Sequence, residues 1–501
     1  MEVTKLLLNY KGDKLSLPKF HFSAELIALC LTKLGKGKSG GIDTLTTKHL
    51  LHCHPVMFSL FAELFNCMLM NSYVPEGFGM GITIPIPKQD NTKGAHAIES
   101  FRGITLSPVI SKLFEHCILI LFRDYMKTSD NQFGFKSMIG CPHAIFTLRK
   151  IVEYYVINNS TVNLCFLDMT KGFDKICHSV LLIKLMKRRV PIALILLLKL
   201  WFSVSFNRVR WGSVLSLPYK LQAGVRQGGV LSPVLFSIYV DDFLKSFAKM
   251  GCQFKGIQVS ALMYADDLVL LAPSISELQA MSDKCSAQLD LIGLQINSAK
   301  SYAIRIGHRF NTANCNIITD GSEIIWGSNA KYLGITILAG YKFKCCFDKI
   351  KSKFYRSANA ILGKINCHDN AIVSVNLVAS IALPVLMYST EALGLNKSEV
   401  NILDHPWSRI FEKIFRTFDK NIVKQCQYNC GHSSIHLKYS LRTMSFLQGI
   451  KMSTNIILRT IGESCLNSEI MKLAIWYNSD AHCFGINYKK IILDSFYADN
   501  I

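Results

Sequence analysis

The chain has 501 residues, half of them hydrophobic, and a formal net charge of +21. That length admits a large core and several subdomains, and the charge favours a polyanionic partner, nucleic acid or an anionic membrane surface. The apolar run from Ile192 to Leu198 falls far short of the roughly 20 residues a spanning helix needs, the first residues carry no secretory pattern, and the 17 scattered cysteines read as reduced core residues of an intracellular protein.

In chain order, Ala24 to Leu34 predicts a helix, followed by Gly37-Lys38-Ser39. This triplet lacks the glycine that a phosphate loop carries five residues before its Gly-Lys pair, where Thr32 stands, and no strand precedes it. A basic turn against nucleic-acid backbone is the better reading. Phe61, Leu64, Phe65 and Met68 recur at helical spacing until Pro75. His49, His52 and His54 have no acid or cysteine geometry to support a metal and read as a surface helix. Ile82 to Lys88 is a strand ending in a cation, and Phe101 to Ser107 is a second strand carrying Arg102. Together they make a clamp for triphosphate oxygens.

Leu164 to Asp168 is an apolar strand ending in a carboxylate, well placed for a crevice beside a sheet. Asp174 lies past the bend, either as a site residue or as a helix-start carboxylate favoured by the dipole. In Gly224 to Pro233 the glycines allow close backbone approach to a ligand. Ser232-Pro233 there reads as an N-cap and first-turn proline, starting a helix to about Phe247. Asp241 and Asp242 in that helix point roughly 100° apart, so they cannot grip one ion and read as a polar edge.

The chain is organised around Met263 to Leu271, where Asp266-Asp267 sits between two apolar runs as the tip of a hairpin. Two acids so placed repel unless a cation lies between them. A hard divalent ion satisfies carboxylate oxygens and carries substrate phosphates too, which points to phosphoryl or nucleotidyl transfer. For the Asp pair alone, an acidic surface turn is the competing reading. Ser274 and Glu277 form a capping box, Leu278, Met281, Cys285, Leu289 and Ile292 follow at helical spacing, and Gly293 closes the helix. A strand from Leu294 carries Asn297 and Lys300, and a further turn and strand hold Lys331 to Ile335. Strand, helix and strand around a carboxylate hairpin make an α+β palm.

From about residue 341 the chain turns helical and basic (Lys342, Lys344, Lys349, Lys351, Lys353, Arg356), which suits either a grip on duplex backbone or a solvated face. Cys426, Cys430, His432 and His436 depart from the spacing of structural zinc sites and stay outside the candidate site.

In this order the blocks resemble the reverse transcriptase domain of non-LTR (LINE-type) retrotransposons. The resemblance rests on Phe166-Leu167-Asp168-x2-Lys171-x-Phe173-Asp174, Gly224-Val225-Arg226-Gln227-Gly228 with Leu231-Ser232-Pro233, Tyr264-Ala265-Asp266-Asp267, Gly293-Leu294 with Asn297-x2-Lys300, and Tyr332-Leu333-Gly334. Pro87-Lys88, Phe101 to Ile104 and Gln132 to Phe135 support it. It implies an α+β right-hand polymerase fold with fingers, a palm of antiparallel sheet and helices, and a helical thumb. The implied divisions are 1–50 as an N-terminal extension, 51–340 as fingers and palm, 341–430 as thumb and 431–501 as a helical tail.

By the same resemblance, Asp168, Asp266, Asp267 and the Met169 carbonyl hold two Mg2+ ions, or Mn2+. Lys88 and Arg102 touch the triphosphate, Phe173 is the steric gate against a 2′-hydroxyl, and Gln227 and Gly228 line the nucleotide pocket. Lys300 protonates pyrophosphate, and Tyr332, Leu333 and Gly334 grip the primer end. The implied partners are an RNA template, a DNA primer or target and dNTPs, with no membrane and no obligate protein partner. The implied location is intracellular, nuclear or cytoplasmic.

Gly172 stands where alanine is more usual, and residues 136–141 depart from the family's Gly-Ser/Thr pattern. The chain begins almost at the fingers, so no N-terminal endonuclease is expected, and the residues after the thumb show no RNase H-like block. The activity implied is RNA-directed DNA synthesis in retrotransposition. The alternative is a catalytically inactive retrotransposon-derived RNA- or DNA-binding protein. A group II intron maturase or a telomerase-like polymerase is the nearest enzymatic rival.

Overall fold

The computed structural model describes residues 2–13, 20–88, 98–170, 172–365 and 370–498, so Lys171 of the Asp168 motif lies outside the described residues. The chain divides into two compact units, Met1–Phe135 with Met169–Ser246 and Cys285–Ile296, and Lys136–Asp168 with Phe247–Lys284 and Asn297–Ile501.

The first unit holds a five-stranded sheet in which Phe101–Leu106 pairs with Met80–Pro87, that strand with Phe206–Trp211, and the last with both Val214–Leu215 and Tyr219–Lys220. Met80–Pro87 meets Phe101–Leu106 antiparallel, with Ile86 opposite Arg102, and meets Phe206–Trp211 parallel. Both strands that the sequence predicts here are present. Helices Ala24–Lys33, Val56–Met70, Val109–Leu121 and Ile192–Ser203 bury aromatic rings among themselves; Phe65 and Phe114 lie 4.7 Å apart and Phe114 stacks on Trp201 at 5.8 Å. Such rings supply large buried area per residue. Leu64, expected on the buried face, is exposed, because Phe61, Phe65 and Met68 already fill it.

Two expectations about helix Ser232–Lys245 need correction. Ser232 is not its N-cap: Leu231 holds that place, and no side chain of the helix itself caps it. Asp241 is no polar edge either. It is fully buried, accepts from the Ser129 N–H at 2.5 Å, and pairs with Arg188 at 2.6 Å and Lys245 at 2.7 Å. A buried carboxylate persists only when paired and hydrogen-bonded in this way. Asp242, half-exposed, pairs with Lys184 at 3.2 Å.

The second unit is built on a four-stranded antiparallel sheet in the order Tyr302–Gly307, Thr161–Asp168, Asp267–Ala272, Ala261–Tyr264. The central strand Thr161–Asp168 is buried at every position but its last, as a near-continuous apolar run requires. Helix Cys141–Ile157 packs against this sheet. The strand expected from Leu294 does not form across Asn297 and Lys300; Ser298–Lys300 is a 3-10 turn, and the strand begins at Tyr302. Ser274 Oγ accepts from the Glu277 N–H at 3.2 Å, but the Glu277 carboxylate accepts from Gly251 N at 2.7 Å instead of closing a capping box. Asn329–Tyr332, Ile335–Leu338 and Lys344–Cys346 form a smaller sheet, and from Asp348 onward the unit is helical.

Among the described residues one stretch, Ala371–Leu393, is by length and composition apolar enough to cross a membrane, which the short run at Ile192 did not foretell. It is built as three pieces, Ala371–Ile381, Leu383–Leu386 and Thr390–Leu393, with left-handed Ser389 at the last break. A core helix passes the same test.

Candidate functional site

In the second unit the carboxylates meet through strand register. Asp267 is directly opposite Asp168 on the neighbouring strand, and Tyr264 is opposite Asp267 on the other side. Opposite residues of an antiparallel pair share a face, with Cβ atoms roughly 4.5–5.5 Å apart, so Tyr264, Asp267 and Asp168 form one row. Tyr264 and Asp267 close a two-residue turn, Ala265-Asp266. Ala265 takes φ +58° while Asp266 does not enter the left-handed region. Glycine normally serves the first position of such a turn, so alanine there holds the tip under strain. Asp266 and Asp267 are exposed.

Backbone hydrogen bonds fix Asp168. Its N–H donates to Ser301 Oγ at 3.2 Å, and its carbonyl accepts from Asn297 N at 2.8 Å. The same 297–301 turn brings Lys300 Nζ to 3.9 Å from the Asp168 carboxylate, with the Lys300 side chain 65% exposed and that of Asp168 39%. One row down the sheet lie Phe166 and Tyr302, their rings 5.5 Å apart. Burial, and then the charge of Asp267, push the Tyr302 hydroxyl up to about 12. Tyr332 is 2% exposed and packs on Phe166 at 5.4 Å; burial and the Asp267 charge raise its hydroxyl well above the usual range. Tyr332 is therefore a core residue, and of the expected primer-end residues only Leu333 and Gly334 reach the surface.

In the first unit, Arg102 is exposed opposite Ile86, and Lys88 N donates to Ser100 O at 2.8 Å, which carries the register on by one step. Lys88 and Arg102 thus share a face as diagonal neighbours, roughly 7–8 Å apart. Phe173 stacks on Phe236 at 4.7 Å and 9°, with Phe135 edge-on at 6.0 Å, so its ring is held on two sides. Val225 N donates to Phe173 O at 2.9 Å and Thr105 N to Gln227 O at 2.7 Å. These bonds hold the 224–228 segment to the 173–176 turn and to the Arg102 strand. Gly228 takes φ +119°, and a Cβ there would lie 2.6 Å from Thr105 O, so no larger residue fits.

Asp174 is not at a helix start, since the next helix begins at His178; it sits in a turn and accepts from Gln227 Nε2 at 3.2 Å. Met169 is buried and bridges antiparallel to Ile296.

Sequence reasoning missed Ser301, which anchors Asp168, and Glu115, whose carboxylate accepts from Leu231 N at 2.6 Å. A single acid in the apolar helix Val109–Leu121 was the available signal, because a buried carboxylate demands donors. Among the described residues no three His, Cys, Asp or Glu side chains form a ready-made metal cage, and the Cys426 to His436 group is no exception: His432 and His436 bond instead to Asn376 and Asn401. The set Asp168, Asp266 and Asp267 is all carboxylate. That open, hard-oxygen chemistry fits Mg2+ or Mn2+, which keep waters and take further ligands from phosphates.

Residues 86–337 match the family model for reverse transcriptase (RNA-dependent DNA polymerase). The chain belongs to that family. The match bears out the expected reverse transcriptase domain and its α+β right-hand polymerase fold. Among curated relatives, this reverse transcriptase is 27% identical over 403 residues to the RNA-directed DNA polymerase from mobile element jockey of Drosophila melanogaster, covering 77% of this chain and 43% of that one. It is 25% identical to the probable RNA-directed DNA polymerase from transposon BS of the same organism, covering 86% and 48%. It is 24% identical to the Pol polyprotein of the type-2 retrotransposable element R2DM, covering 63% and 30%. The chain thus spans less than half the length of these relatives. A solved telomerase from Candida tropicalis, in complex with a TWJ fragment of telomeric RNA, aligns with a TM-score of 0.42 at 15% identity, covering 88% of this chain and 68% of that one.

Proposed function

We propose that this chain is an RNA-directed DNA polymerase that extends a DNA 3′-hydroxyl with dNTPs on an RNA template, in retrotransposition. The observation that carries the reading is the register of Asp168 with Asp267, next to Asp266 at a strained turn. In this reading Asp168, Asp266, Asp267 and the Met169 carbonyl hold two divalent ions. Bound there, the ions lower the pKa of the primer hydroxyl and neutralise charge on the leaving pyrophosphate.

The protein's own groups do the rest. Lys300, held 3.9 Å from Asp168, donates a proton to pyrophosphate. Lys88 and Arg102, sharing one sheet face, bind triphosphate oxygens. Phe173, pinned by Phe236 and Phe135, cannot yield to a 2′-hydroxyl and so selects dNTPs. Gln227 and Gly228 line the nucleotide pocket, and the Leu333-Gly334 turn meets the primer end over buried Tyr332. Residues 341–430 serve as thumb, 51–340 as fingers and palm, with 1–50 and 431–501 flanking them. The work is intracellular, in nucleus or cytoplasm.

The test is primer extension by the purified protein on an RNA template with dNTPs and Mg2+, beside Asp266→Asn. Extension should fall at least roughly 100-fold in the variant, with RNA binding unchanged. Absence of extension by the unaltered protein, with salt-sensitive RNA binding intact, would overturn the reading in favour of an inactive binder.

A further inference from the structure

The five-stranded sheet of the first unit turns one face outward that the triphosphate clamp only begins to use. Side chains alternate along a strand, so the pairing of Ile86 with Arg102 and of Ile82 with Arg208 puts Ile84, Ile86, Arg102, Arg208 and Arg210 on one face. Leu215, opposite Arg210, and Lys220, opposite Phe206, join that face from the two short strands. The pairing of Phe206–Trp211 with Met80–Pro87 ends at Val209, opposite Thr83. Beyond it Trp211 faces Val214 across a Gly212-Ser213 turn, with Gly212 at φ +61°. Ser216 N donates to Val209 O, and Val209 N to Ser216 Oγ, both at 2.9 Å. The ribbon that carries Arg210 is therefore fixed at its base.

None of the five strands contains Asp or Glu, and the sequence holds neither between Asp174 and Asp241. Among the described residues the side chains of Arg102, Arg208, Arg210 and Lys220 have no ion pair and no hydrogen bond, and the Arg208 Nε is buried without a partner. Cations left uncompensated within the chain call for an anion from outside it. The floor between them is aliphatic: Ile86 is 47% exposed, Leu215 42%, and Ile84 is half-buried. A duplex would offer phosphates and leave that floor wet, whereas a single strand lays sugars and unpaired bases on it. Same-face residues of one strand stand roughly 6.6–6.8 Å apart, so Arg208 and Arg210 can meet different phosphates.

The geometry points to a phosphate track for single-stranded RNA, made by Arg208, Arg210 and Lys220, that leads an unpaired template across the sheet toward Arg102. This rests on the polymerase reading above, in which Arg102 binds triphosphate; the track itself needs no catalysis.

Two measurements test it. Binding of the purified protein to a labelled single-stranded oligouridylate should weaken several-fold when Arg210→Gln is combined with Lys220→Gln. The slope of log affinity against log salt should fall by about 0.7 for each cation removed, while binding to a blunt RNA–DNA duplex and the melting temperature stay as they were. Arg210→Lys keeps the charge and should keep the slope. In primer extension the double variant should raise the KM for a template with a long 5′ overhang several-fold, but not for one reaching a single nucleotide past the primer. An unchanged slope would overturn the track and give this face to a protein partner. Equal losses on single strand and duplex would also overturn it, as a general effect of charge. A lowered slope with both template KM values moving alike would overturn the assignment to the template. An unaltered protein that extends no primer, in a series whose slope still falls on single strands alone, would instead condemn the polymerase reading and leave the track as an RNA-binding surface.

Discussion

Glu115 does at residue scale what a local cap would do elsewhere. It reaches from helix Val109–Leu121 to the Leu231 N–H at the start of Ser232–Lys245, so the segment bearing Gln227 and Gly228 is held from outside. Burial pushes its carboxyl up from the usual range, while the Leu231 and Val230 amides and the charges of Arg226 and Lys112 pull against that rise. Because the folded value lies above the unfolded one, the stability this group contributes is full below the ordinary carboxylate pKa. It is lost as pH rises toward the folded value. Glu115→Gln keeps the acceptor and should flatten that part of the stability–pH curve. Glu115→Ala leaves a buried amide unsatisfied and should cost about 1–3 kcal/mol in denaturant titrations. A curve of unchanged slope in Glu115→Gln would show that the carboxyl is not the titrating group. Arg226, legible in the sequence only as part of a motif, proves to be a scaffold residue: its guanidinium donates to Phe78 O at 3.2 Å and also to Gly79 O.

Elements are joined in the second unit by buried charge. Arg149 and Lys150 of helix Cys141–Ile157 each place nitrogen 2.7 Å from the Glu469 carboxylate of helix Ile456–Ala474, and the three side chains are almost wholly buried. Gly394 is required beside them, since a Cβ there would meet the Arg149 guanidinium at 1.6 Å. Burial alone would raise the Glu469 carboxyl, but Arg149 and Lys150 hold it far below the usual range. A depressed folded value means stability present above the ordinary carboxylate pKa and lost as pH falls through the folded one. Glu469→Gln should cost about 3–5 kcal/mol, because two buried cations lose their buried counter-charge and keep only the half-buried Glu153 carboxylate between them. A cost below about 1 kcal/mol in urea titration would refute this.

Nothing in the sequence announced that pairing, which spans some three hundred residues. What was legible was local: the apolar strand ending at Asp168, the hairpin at Asp266-Asp267, the two strands that carry Lys88 and Arg102. The misreadings share a cause. Asp241 looked like a polar edge because Arg188 and Ser129 come from distant segments, and Asn297 and Lys300 looked like a strand because alternation cannot reveal that Asp168 holds that turn by its backbone.

For the molecule as a whole, the net charge of +21 should govern nucleic-acid affinity. Of the cations expected to grip backbone, Lys351 is paired with Asp348 at 3.0 Å, while Lys349, Lys353 and Arg356 are exposed on helix Asp348–Leu362. Replacing these three with glutamine should lower the slope of log affinity against log salt by roughly 0.7–0.9 for each phosphate they neutralise. An unchanged slope would mark them as a solvated face.

The sheet that carries Asp168 and Asp267 also has a history in time. Its central strand Thr161–Asp168 is completed by Asp267–Ala272 on one side and Tyr302–Gly307 on the other. A ribosome adding about 5–20 residues per second takes on the order of ten to thirty seconds to supply the last partner. Through that interval a largely apolar strand has at least one edge open, and both until residue 272 is made, a state prone to wrong pairing. The register that aligns Asp168 with Asp267 can be fixed only once residue 272 is made, about a hundred residues after the strand it joins. Nascent chains stalled before Gly307 are therefore expected to need a chaperone's cover.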